Sequence, residues 1–125
     1  MVPTGDSDDQ PLDPVVEKAL EHLTAFVEFD PVRRAEKREI SLKGPSDRAG
    51  AIHIFKHLKH NGYPIEPTKI REWALAHGWK SKDVEELEGY AAGVVAGTRY
   101  HTAPDPFGGL AIHSWRREAE AEKSE

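Results

Sequence analysis

Apolar side chains fall at helical intervals through most of this chain. Val16, Ala19, Leu20, Leu23, Phe26 and Val27 lie on one stripe of a helical wheel, the pattern of a helix that buries one face. Asp13-Pro14 supplies an N-cap and a first-turn proline, and Asp30-Pro31 stops the helix near Phe29. Residues 31–39 are charged and predict a further helical turn or two, while Ile40-Ser41-Leu42 is extended in character but too short for a strand. After Gly44-Pro45, Ser46 is the expected cap of a second long helix, ending near Asn61 with Gly62 beyond it. Its buried side is Ala51, Ile54, Phe55 and Leu58; His53, His57 and His60 share the opposite side.

The third helix follows Glu66-Pro67, with Ile65 and Ile70 spaced for a hydrophobic staple and Gly78 as its terminator. Trp79 is expected to fold back on the helix it ends. Ser81 is the expected cap of the fourth helix, whose first turns carry Asp83, Glu85, Glu86 and Glu88, as the helix dipole favours. Residues 90–97 then carry no charge on any face, which predicts a buried central helix. Val84, Leu87, Ala91, Val94 and Val95 form its apolar stripe, and Gly89, Ala92, Gly93 and Ala96 its small-residue side. An interior glycine costs about 0.5–1 kcal/mol relative to alanine, so this side implies close approach of another helix, from the same chain or from a second copy.

Residues 98–109 are rich in proline and glycine and read as a loop. Ala111, Ile112, Trp115 and Ala119 then share a face of a last helix, although 110–115 also alternates as a strand would. The expected architecture is all-α: about five helices in one domain over 13–118, with a helix-turn-helix-like core unit and at most a minor, short β element. Residues 1–12 are expected to be disordered and 119–125 to form a frayed tail.

Composition narrows the function classes. Cysteine is absent, which removes disulfides, thiolate metal sites and cysteine nucleophiles. Neither a signal peptide nor a membrane span can be read from the chain, so a cytoplasmic location and no membrane partner are expected. The net charge of −5 conceals a segregation: residues 1–32 carry −7, residues 33–82 carry +7 and residues 83–125 carry −5. A basic middle is what nucleic-acid contact requires, but it equally suits packing against acidic helices on either side. An overall acidic chain would be repelled by DNA at long range, which favours the second account.

Around the basic segment, Ala74, Gly78, Trp79, Val84 and Leu87 have the spacing of a helix-turn-helix. Ile70-Arg71-Glu72-Trp73-Ala74 with Gly78-Trp79 resembles the opening of the small DNA-binding domain of actinobacterial histone-like nucleoid silencers. That resemblance implies contact with DNA through Lys69, Arg71, Lys80, Ser81 and Lys82. Where the silencers carry an Arg-Gly-Arg hook, this chain has Lys80-Ser81-Lys82. Glu85 and Glu86 beside them would repel phosphates, so nucleic acid is the secondary expectation.

His53-x3-His57-x2-His60 is the other chemical candidate, since imidazoles one helical turn apart can chelate zinc. A metalloprotease would need a glutamate after the first histidine, and Ile54 stands there. The cations Lys56 and Lys59 and the last two histidines equally suit a solvated helix C-terminus. No catalytic residues and no cofactor are therefore assigned. The expectation is a small helical binding or assembly module acting without catalysis, with a protein partner or a second copy on Gly89, Ala92, Gly93 and Ala96. The alternatives are a helix-turn-helix DNA-binding regulator and a small metal-dependent enzyme using the histidine stripe.

Overall fold

The computed structural model describes residues 12–29, 31–36, 39–100 and 111–124, and the expectations for residues 1–11, most of the 98–109 loop and residue 125 lie outside them. Among the described residues there are six α-helices: α1 (Pro14–Val27), α2 (Pro31–Glu36), α3 (Pro45–His60), α4 (Pro67–Ala76), α5 (Ser81–Ala96) and α6 (Ala111–Ser124). The architecture is all-α, and the 110–115 ambiguity is resolved as helix from Ala111 onward. Proline stands at the first turn of α1, α2, α3 and α4, where the amide it lacks would have no partner in any case.

Helix ends follow the local chemistry closely. The Asp13 carboxylate accepts from Val15 N at 2.8 Å and caps α1. Gly62, Gly78 and Gly97 take φ of 85°, 90° and 86°, the left-handed region that glycine enters at no cost. Each is followed by a residue whose amide reaches back into the helix: Tyr63 to Leu58, Trp79 to Ala74 and Thr98 to Gly93. These are Schellman closures, and they satisfy carbonyls that the helix leaves open. Two caps differ from expectation. Gly44, and not Ser46, precedes α3, because Pro45 already fits the first helical position; Lys80, and not Ser81, occupies the cap position of α5 and makes no side-chain capping bond.

The core is a single cluster centred on α1, α3, α4 and α5, with Leu20, Leu23, Ile54, Phe55, Leu58, Ile70 and Leu87 fully buried. Helix α6 lies antiparallel on α1: Trp115 packs edge-on to His22 at 5.8 Å, and Lys18 is paired with Glu122. Those contacts, with Ala119 buried, keep the helix intact to Ser124, beyond the 118 boundary read from the sequence. Trp79 does more than fold back on α4. Its indole donates to Thr24 on α1 at 3.3 Å, and Trp73 donates to Glu17 at 3.2 Å, so the α4 end of the molecule is fixed to α1 by two indoles.

Ile40 is held by a single parallel bridge to Trp79, made of Ile40 N to Gly78 O at 3.0 Å and Lys80 N to Ile40 O at 2.9 Å. This is the whole β content of the described residues. The last two turns of α5 differ from the fully buried helix that their composition predicts. Ala91 and Val94 are buried, but Gly89, Ala92 and Ala96 are exposed and Val95 is 49% exposed. Absence of charge here marks small side chains on one face, not burial on all of them.

Candidate functional site

Helices α3 and α5 run parallel. At their N-terminal ends Arg48 Nε meets Glu86 Oε2 at 2.5 Å, and at their C-terminal ends Lys59 Nζ donates to Val94 O at 2.8 Å and to Val95 O at 3.3 Å. Two negative helix ends therefore lie side by side, each equivalent to about half an electronic charge. The sequence answers with cations: His57, Lys59 and His60 fill the last turn of α3.

Between these ends opens a cleft of about 610 Å³, lined by His53, Lys56, His57, Lys59 and His60 from α3 and by Val94, Gly97 and Thr98 from α5 and its exit. The three histidines predicted to share one face do so, His53 and His57 half-buried and His60 exposed. They face a groove, not open solvent. Among the described residues no group of three or more histidine, aspartate or glutamate side chains is placed to hold a metal ion. Imidazoles spread along two helical turns do not converge on one point without a ligand from a second element. Among the described residues no carboxylate lines the cleft. Its chemistry is that of hydrogen-bond donors and positive charge beside an apolar wall.

The DNA-contact candidates lie elsewhere. Lys80, Ser81 and Lys82 are exposed at the start of α5, uncovered by α1. The other two are occupied: Lys69 pairs with Glu66 at 3.4 Å, and Arg71 with Glu88 at 3.7 Å. Further cations of the basic segment are likewise engaged, Arg33 with the buried Asp47, Arg48 with Glu86, and Arg34 with Glu28 O at 3.1 Å. Asp47 also accepts from Lys43 N at 2.8 Å and so joins the otherwise unburied α2 to the start of α3. Of these carboxylates Glu86 and Glu88 come from outside the +7 segment, whose own acids are already counted in its charge, so most of its positive surplus remains.

The small-residue side of α5 is met by a ring where the sequence suggests a helix. A Cβ at Gly93 would stand 2.9 Å from Tyr100 Cζ and still nearer its hydroxyl, while Gly89 has nothing within 4 Å. Tyr100 in turn packs edge-on to Tyr90 at 5.8 Å. Burial, reinforced by its bond to Glu86, pushes the Tyr90 phenol up to about 12. Neither tyrosine could be assigned from sequence, because Tyr100 reaches α5 only after Gly97 turns the chain back.

Comparison with known proteins places residues 12–116 on the model of a family described as a domain of unknown function, DUF1889. The fold is similar to that in a crystal structure of a Salmonella typhimurium protein, with a TM-score of 0.63, 19% identity, and coverage of 83% of this chain and 98% of the other. No curated protein matches by sequence. Among the described residues no helix is long and apolar enough to cross a membrane.

Proposed function

The chain belongs to the DUF1889 family, and from that premise we propose that it is a binding module that acts without catalysis, with the cleft between the C-terminal ends of α3 and α5 as its recognition site. One observation carries this reading: among the described residues the cleft joins five nitrogen-bearing side chains to Val94, Gly97 and Thr98, with no carboxylate in its lining. Its volume is of the order that ligand pockets occupy, roughly 300–1,000 Å³. Amide shift mapping with a set of small acids, bases and neutral compounds is the test. Perturbations gathered on residues 53–60 and 94–98 are expected; perturbations spread over the surface, or centred on 80–82, would overturn the assignment.

Contact with DNA is the second reading, supported by the exposure of Lys80, Ser81 and Lys82 beside the α4–α5 turn and by the silencer resemblance. It has less support, because Arg71 and Lys69 are paired with acids and Glu85 is exposed on the same helix. Assembly through Gly89, Ala92 and Ala96 is a further form of the binding reading. Exposure of that face supports it, whereas Tyr100 standing over Gly93 opposes close backbone approach there. Sedimentation of Ala96→Arg tests it: an unchanged mass is expected, and a parent dimer that the substitution splits would restore the assembly site.

A further inference from the structure

Helical spacing puts Glu86, Tyr90 and Gly93 on one stripe of α5, and Gly97 continues it where the helix ends. The stripe runs from an ion pair to the cleft. Arg48 of α3 donates through Nε to Glu86 Oε2 at 2.5 Å, and the same carboxylate accepts from the Tyr90 hydroxyl. Tyr100 stands edge-on to Tyr90 with ring centroids 5.8 Å apart, and it lies over Gly93, where a Cβ would be 2.9 Å from its Cζ. Both rings are partly buried against the core. Gly97 and Thr98, which line the cleft, are bracketed by these contacts: Thr98 N donates to Gly93 O at 2.8 Å, and two residues later the Tyr100 ring returns to the same glycine.

The other two glycine closures show what this ring supplies. A Schellman turn is commonly accompanied by an apolar contact just beyond the glycine. Trp79, after Gly78, is buried and donates to Thr24, and Tyr63, after Gly62, accepts from Arg116 Nε at 2.8 Å. Thr98, after Gly97, is exposed. The anchor at this closure is Tyr100.

We propose that Tyr100 is a positioning residue for the cleft: clasped between Gly93 and Tyr90, it fixes Gly97 and Thr98 of the α5 wall from beyond the residues that line the space. Glu86 and Arg48 hold Tyr90 in turn, so the wall is tied to an ion pair three helical turns away. This role rests on the cleft being a binding site, as proposed above, and adds how the shape of that site is set.

Hydrogen–deuterium exchange of the full chain tests this without a ligand. The readout is the Thr98 amide, and the corresponding amides after α3 and α4, those of Tyr63 and Trp79, are internal controls. Tyr100→Ala should speed Thr98 exchange by about tenfold, the ratio that a seated ring pair is worth, and leave both controls at parent rates. Tyr100→Phe, which keeps the ring over Gly93, should restore the parent rate. Tyr90→Phe keeps its ring but loses Glu86, and should speed Thr98 by a smaller factor, about threefold. Thr98 equally protected in Tyr100→Ala would overturn the proposal, since the glycine turn would then close the helix alone. A rise shared by all three amides would also overturn it, as the mark of a ring that supports the fold at large. Shift mapping that finds no binding at 53–60 and 94–98 would strike the binding reading while leaving the clasp in place, so the two failures are distinct.

Discussion

Tyr90 and Gly93 show how much one side chain depends on what stands over it. The Tyr90 hydroxyl donates to Glu86, which also holds Arg48, and burial comes first among the causes that raise its pKa to about 12. The protonated phenol is therefore favoured by the folded state. Its contribution to stability is complete below the unfolded value of 10.0 and is lost as pH rises from there through about 12. Ultraviolet titration of tyrosinate is expected to show a late-titrating phenol that Tyr90→Phe removes. At Gly93 two effects oppose each other. Alanine gains about 1 kcal/mol of helix propensity but drives Tyr100 off the helix and away from Tyr90. In a Tyr100→Ala background, Gly93→Ala should stabilise by about 1 kcal/mol, and in the parent it should gain clearly less or lose. Denaturant melts of the four variants decide it; equal gains in both backgrounds would mean that the ring is not seated on Gly93.

Helices show which features local sequence determines. Starts and stops were legible because they depend on neighbours in the chain: Asp13-Pro14 and Glu66-Pro67 at starts, Gly62, Gly78 and Gly97 at ends. The histidine face of α3 was legible for the same reason, since helical spacing alone puts 53, 57 and 60 together. What faces them was not. The cleft exists because α3 and α5 run parallel, and nothing in either segment encodes its direction relative to the other. The uncharged end of α5 misled for a related reason: composition cannot say which neighbour a bare face meets, and α5 is packed by α3 and α4 on one side only. Lys59 is where this pairing can be measured. Lys59→Met removes its bonds to Val94 O and Val95 O and should cost about 1 kcal/mol, with the loss reduced at high salt. No loss would mean that the α5 end is satisfied by solvent.

At the scale of the molecule, charge segregation along the chain is matched in part by contacts in space. Arg48 and Arg71 of the basic segment meet Glu86 and Glu88 of the acidic last third, while Arg34 donates to a neutral backbone carbonyl, Glu28 O. What remains exposed at the α4–α5 turn is Lys80 and Lys82. Two phosphate contacts give a shallow salt slope, of about −2 on a logarithmic plot. Duplex DNA should therefore bind no tighter than roughly micromolar at physiological salt, and without sequence preference. Anisotropy titrations across salt check this; sub-micromolar, sequence-selective binding lost on Lys80→Glu would reverse the ranking of the two functional readings.

The bridge between Ile40 and the Gly78 turn also has a kinetic meaning. Its two amides, Ile40 and Lys80, bond across segments that no single helix contains. Neither can be shielded by local winding of the chain, so both gain protection only when the α3 approach and the α4–α5 hairpin have closed on each other. In hydrogen–deuterium exchange these two amides should release together, at the rate of that separation, whereas amides inside α4 keep their own partners. An Ile40 amide that exchanges at the rate of an exposed loop, while Lys80 stays protected, would show that the hairpin stands without the bridge.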